Sequence, residues 1–121
     1  MSEQLAFLPI SEVVARYRDK SLSPVAVVQA ALDQIERHNK KINAFTVVAA
    51  ERAMAEARES EIRWAAGEPK GNLDGVPVSV KDTLMVKGFP FRRGSMATSD
   101  TPVSESAPVA DHVFNAGATL L

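Results

Sequence analysis

The sequence contains no cysteine, which excludes disulfide bridges and thiolate-held metal sites. It has two histidines, His38 and His112, far apart in the chain, so a zinc site resting on imidazoles lacks its ligands. No apolar run approaches the roughly 20 residues that a membrane-crossing helix requires. Met1-Ser2-Glu3-Gln4 carries no basic segment ahead of an apolar one, so the start does not read as a secretory signal. An excess of either charge is missing too: 14 basic residues face 15 acidic ones, for a net charge of −1. The basic doublets, Lys40-Lys41 and Arg92-Arg93, are too small to track a phosphate backbone, which argues against nucleic acid as a direct partner. Gly71, Gly75, Gly88 and Gly94 match neither a P-loop nor a dinucleotide fingerprint and read as turn residues. These absences imply a cytoplasmic protein without a metal.

What is present is an ordinary globular composition, 45% apolar and 24% charged over 121 residues, which implies one domain or part of one. Ile10 to Arg18 reads as a short helix, with Ser11 as N-cap and Glu12 at the positive end of the dipole. Ser23-Pro24 restarts the chain as cap and first helical residue. Val25, Val28, Leu32 and Ile35 then lie on one helical stripe, in a helix expected to end near His38-Asn39. Ala44 to Val48 is β-rich and predicts a short strand. A third helix, Ala50 to Ala66, is rich in Ala, Glu and Arg, with Glu59 and Arg63 in the favourable order and Gly67 as its stop. Its Glu51, Glu56, Glu59 and Glu61 read as a solvated face, and Met54, Met85 and Met96 as packing residues. Met85 to Pro108 is expected to be irregular, Ala107 to Ala116 helical with Val109, Val113 and Ala116 on one side, and Ala118 to Leu121 the start of a strand. Strands alternating with helices imply an α/β fold. The chain stops inside an apolar strand, which hints at an incomplete polypeptide.

Leu73 to Leu84 holds the residues with chemical potential. Val76, Val78 and Val80 alternate with Pro77, Ser79 and Lys81, so the valines share one face and Ser79 and Lys81 the other. A free lysine, with a pKa near ~10.4, is protonated at neutral pH; burial disfavours the ammonium and makes lysine a usable base. A snorkelling or edge-strand lysine is the commoner explanation of such a pattern. Ser79 and Lys81 form a possible nucleophile and base, but at i,i+2 their Cα atoms stand roughly 6.5–7 Å apart, which disfavours Ser79 as nucleophile. His38 suits a helix C-terminus, and His112 a helix surface.

The run Leu73-Asp74-Gly75-Val76-Pro77-Val78-Ser79-Val80-Lys81-Asp82 resembles the lysine segment of the amidase signature family. The likeness continues through Lys87-Gly88, Gly94-Ser95, Ala107-Pro108-Val109-Ala110 and Asn115-Ala116-Gly117-Ala118-Thr119-Leu120-Leu121. It extends forward to Ser23-Pro24 and to Ile42 through Phe45. The resemblance implies that the chain is the N-terminal part of a single amidase domain over residues 1–121. Residues 1–66 form a mainly helical leader with one short strand; 67–121 hold the lysine-bearing strand, a loop, a helix and the start of the next strand. Its fold is then an incomplete amidase signature fold, the first strands of a mixed sheet flanked by helices.

By the same resemblance the protein cleaves a carboxylic amide through a Ser–cisSer–Lys triad, with Lys81 as the lysine and no cofactor. Both serines and the oxyanion hole lie downstream in such enzymes, so these 121 residues alone are expected to be inactive. The partners implied are a small-molecule amide and, by family analogy, a second copy of the protein. One branch of the family acts in transamidation of misacylated tRNA beside partner subunits; Phe89 through Ser95 departs from its usual stretch, which places that reading second. A non-catalytic interaction module presenting the Val25–Ile35 stripe, or a degenerate family member without its serines, are the remaining alternatives.

Overall fold

The computed structural model describes the backbone of residues 2–121 and the side chains from residue 4 onward. In chain order it holds α1 (Ser2–Leu5), α2 (Ile10–Arg18), α3 (Pro24–Ile42), α4 (Ala50–Ala66), β1 (Pro77–Val78), α5 (Pro108–Asn115) and β2 (Thr119–Leu120). The fold is helical with a small parallel sheet. Pro77 pairs with Thr119 and Val78 with Leu120, and the connection between the two strands carries α5.

The helix starts follow local chemistry. At α3, the Ser23 hydroxyl accepts the Val25 N–H at 3.0 Å and Pro24 occupies the first turn, as the sequence predicts. At α2 the expected cap is displaced. Ser11 lies inside the helix, Pro9 holds the cap position without a side-chain bond, and its carbonyl accepts the N–H groups of Glu12 and Val13 at 3.0 Å each. The end of α3 also differs from expectation. Instead of stopping at His38-Asn39, the helix runs to Ile42 and closes on Asn43 in the left-handed conformation, φ 52°. Asn39 ties down the connector after the helix: its side chain donates to the Phe45 carbonyl at 2.9 Å and accepts the Phe45 N–H at 2.8 Å. With both backbone groups of Phe45 held by one side chain, the strand predicted for Ala44–Val48 does not form, and Val47 and Val48 face solvent.

The core is layered around α3 and α4. Ala53, Ala57, Ser60 and Trp64 recur at helical spacing on the buried face of α4. The small residues there admit Val28 and Leu32 of α3, with Val25 and Ile35 packed alongside. The stripe read from the sequence therefore faces α4. A second cluster joins Val13, Tyr17, Val27, Trp64 and Val76, with the Tyr17 and Trp64 rings 5.9 Å apart. A third, Val86, Ala110 and Leu120 with Val80, Phe89 and Phe114, seats α5 on the sheet. In α5 the buried side thus passes through Ala110 and Phe114, whereas Val109, expected inside, is half exposed. Arg52 stacks over Phe89 and Phe114, 5.9 and 5.7 Å from the ring centroids, and joins α4 to this third cluster. None of the described helices is long and apolar enough to cross a membrane.

Candidate active site

The lysine segment begins at a buried junction. Asp74 is fully buried, and its carboxylate accepts Arg63 Nε and Nη2 and the Lys70 N–H, each at 2.7 Å. Burial favours the neutral acid, but the hydrogen bonds from Arg63 and Lys70 outweigh it and hold the Asp74 carboxyl below the usual carboxylate range. Arg63 also meets Glu59 at 3.9 Å, the pair expected from sequence, but the two short bonds to Asp74 are its main engagement. The Asp74 carbonyl accepts Trp64 Nε1 at 3.0 Å, and the next carbonyl, of Gly75, accepts the Tyr17 hydroxyl at 3.1 Å. Burial first, and then the Asp74 charge, push the Tyr17 phenol well above its ordinary range. Gly75 has φ 75°, and a Cβ there would lie 2.3 Å from Ser60 Oγ and 2.8 Å from Pro24 Cβ. Gly117 closes the junction from the other side: a Cβ on it would stand 2.7 Å from Asp74 Cα.

From this anchor the chain enters β1. Val76 is buried, Val78 and Val80 are half-buried, and Ser79 and Lys81 are exposed, so the alternation read from the sequence holds from Val78 to Lys81, while Pro77 is half-buried like Val78. The strand itself is shorter than expected. The ladder covers Pro77 and Val78, extended by bonds from Thr119 N–H to the Val76 carbonyl (2.9 Å) and from Leu121 N–H to the Val78 carbonyl (3.0 Å). Lys81 therefore stands past the C-terminal end of β1, opening a turn in which its carbonyl accepts the Leu84 N–H at 2.9 Å. In parallel α/β sheets ligands sit beyond the carboxyl ends of the strands, which is where Lys81 is found. Among the described residues none provides the burial anticipated for its side chain, which is exposed. Ser79 shares the exposed face and forms no hydrogen bond with Lys81.

Asp82, to which the sequence pattern assigns no role, fastens the loop beside Lys81. Its carboxylate accepts the N–H groups of Arg92 and Gly94, and its carbonyl that of Arg93, each at 3.2 Å. Thr98 Oγ1 closes the same loop on the carbonyls of Arg92 (2.9 Å) and Ser95 (2.6 Å). Arg93 lies over the Phe91 ring, 5.4 Å from its centroid. The positive φ of Arg93 (52°) beside Gly94 (69°) marks the tight curl. Met96 on this loop, expected to pack, is 92% exposed. His38 and His112 both lie exposed on helix surfaces; His112 falls in the last turn of α5, and Lys40 and Lys41 hold that place in α3.

A family model described as Amidase matches residues 26–121. The chain belongs to the amidase family. Amidase relatives of two kinds resemble it. It is 36% identical over 120 residues to a glutamyl-tRNA(Gln) amidotransferase subunit of Anaeromyxobacter sp. (strain K), covering 99% of this chain and 24% of that protein. It is 32% identical over 122 residues to an acylamidase of Rhodococcus erythropolis, covering 100% of this chain and 26% of that protein. Among solved amidase structures, a bacterial aryl acylamidase of the amidase signature family superposes with a TM-score of 0.84 at 27% identity, over 98% of this chain and 25% of that one. The chain thus spans about a quarter of the length of the relatives it matches.

Proposed function

We propose that the whole protein is an amidohydrolase that cleaves a carboxylic amide to an acid and ammonia or an amine, with Lys81 as the lysine of a Ser–cisSer–Lys triad. The observation that carries this reading is the placement of Lys81: outward-facing, past the carboxyl end of a parallel strand, in a chain of the amidase family. In the reaction, a serine outside these 121 residues attacks the amide carbonyl. Its proton passes through the bridging serine to the Lys81 amine. The tetrahedral intermediate collapses to an acyl-enzyme, and the leaving nitrogen takes up that proton. Water then adds by the same route in reverse and releases the acid. Backbone N–H groups beside the serines stabilise the oxyanion, a contribution worth about 3–4 kcal/mol per donor. A lysine accepts a proton only when it is unprotonated beforehand, which withdrawal from water favours. In this reading the shield over Lys81 comes from parts of the protein beyond these residues.

The test is Lys81→Ala in the full-length protein. Since a triad acts as a unit, kcat should fall by at least about 10³-fold. Activity within a few fold of the wild type would remove Lys81 from the mechanism.

The amidotransferase reading is second, and the relatives that are glutamyl-tRNA(Gln) amidotransferase subunits favour it. A protein that hydrolyses simple amides by itself supports the first reading. One that is silent alone, and active on glutamyl-tRNA(Gln) only with partner subunits, supports the second. Cytoplasmic location and a homodimer complete the proposal, the latter by family analogy alone.

A further inference from the structure

Lys81 is bonded through its carbonyl within its own turn, to the Leu84 N–H at 2.9 Å. It lies beyond the β1–β2 ladder, in irregular chain, with a four-carbon side chain in solvent. The next residue supplies a further constraint. Asp82 is half-buried and receives three successive backbone N–H groups, of Arg92, Arg93 and Gly94, at 3.2 Å each. Three neighbouring N–H groups converge on one residue only if the chain curls, and it does so through left-handed Arg93 and Gly94. The ladder fixes the chain before Lys81, and Asp82 fixes it after, against a loop that Thr98 closes internally.

We propose that Asp82 is a positioning residue for the amidase reaction: it pins the Lys81 turn to the 92–98 loop and so sets the place from which Lys81 presents its amine. The inference rests on Lys81 being the catalytic lysine. It assigns to Asp82 no contact with substrate. Its effect reaches the chemistry through the geometry of Lys81, to which proton transfer is sensitive on the ångström scale.

The experiment compares four variants of the full-length enzyme, on the amide it turns over fastest, with rates expressed per folded molecule by circular dichroism. Asp82→Ala is expected to lower kcat by about 10²-fold with KM changed less than about threefold, the loss a misplacement of about 1 Å produces. Asp82→Asn keeps one oxygen acceptor and should fall between, with a pH profile of unchanged shape. Ser106→Ala removes a bond from the far side of the same passage, the one that accepts the Lys87 N–H at 2.8 Å. It should stay within about threefold of wild type, because it leaves the Asp82 clamp intact. Hydrogen exchange at Arg92–Gly94 should quicken in Asp82→Ala. An inactive Lys81→Ala beside an Asp82→Ala of near-normal kcat overturns this inference alone. An active Lys81→Ala, or a wild type that cleaves no amide, overturns the catalytic reading together with it. Equal losses in Ser106→Ala and Asp82→Ala would mean that general loosening suffices. A displaced pH profile in Asp82→Asn would make the carboxylate a tuner of charge. Either result removes the positioning role.

Discussion

Asp74 concentrates more of the local energetics than any neighbouring side chain. It is completely enclosed and negatively charged, and its main compensation comes from one partly exposed guanidinium and one backbone N–H, with the Ser60 hydroxyl contributing less. A buried pair of this kind stabilises little relative to an apolar pair of equal shape, yet breaking it from one side costs about 3–5 kcal/mol. Asp74→Asn is therefore expected to lose about 3 kcal/mol at neutral pH, the lower end because Arg63 keeps access to water. The pH dependence follows from linkage. Folding lowers the Asp74 pKa below its unfolded value of roughly 3.9, so the stability this residue contributes is complete above that value. It is lost as pH falls through the lower, folded value. The wild type and Asp74→Asn should therefore be far apart in urea midpoint at pH 7 and converge below about pH 4. A gap that stays constant with pH would show that the charge on Asp74 contributes nothing to stability.

Among the elements, the connection from α3 to α4 separates what local sequence determines from what it does not. The bounds of α4 match the residue pattern, because a run rich in Ala, Glu and Arg that ends on Gly67 admits few other outcomes. The segment Ala44–Val48 is β-rich in composition, but a strand also needs a neighbour for its backbone groups. Here Asn39, six residues upstream, takes both groups of Phe45. That capture is a matter of geometry at a helix end and leaves no periodic trace in the sequence. Asn39→Ala should cost about 2 kcal/mol, two side-chain-to-backbone hydrogen bonds at about 1 kcal/mol each, and should speed amide exchange at Phe45. Unchanged exchange there would mean that the connector is held by packing instead. The site divides along the same line. The outward face of Lys81 was legible because the valine alternation spans only a few residues. The roles of Asp82 and Asp74 were not, since Arg92 and Gly94 lie ten and twelve residues from Asp82 through irregular chain, and Arg63 lies eleven residues from Asp74 across a helix end. Lys81, read as part of the strand, falls beyond the observed one because the ladder has only one described neighbour to pair with, and it ends at Val78.

At the scale of the whole molecule, the proposed mechanism takes its base, Lys81, from these 121 residues and its nucleophile from elsewhere. Apolar side chains and strand edges of this chain are open to solvent. Phe7, Ile42 and Ile62 are 74%, 65% and 69% exposed, and the described sheet has two strands with an unpaired edge on each side. Within a protein of the relatives' length, about four times longer, there is ample chain to cover these surfaces and to enclose Lys81. As a free polypeptide the 121 residues should therefore self-associate, visible as a concentration-dependent mass in light scattering, and should hydrolyse no simple amide above the rate in buffer. The two outcomes are separable. A monomeric, cooperatively melting chain that remains inactive would show that the fold closes without further sequence, and that only the chemistry is divided. Turnover by the free chain that disappears in Lys81→Ala would be more disruptive. It would mean that a nucleophile lies within reach of Lys81 in these residues, and Ser79, on the same face of the same segment, is the side chain that would have to supply it.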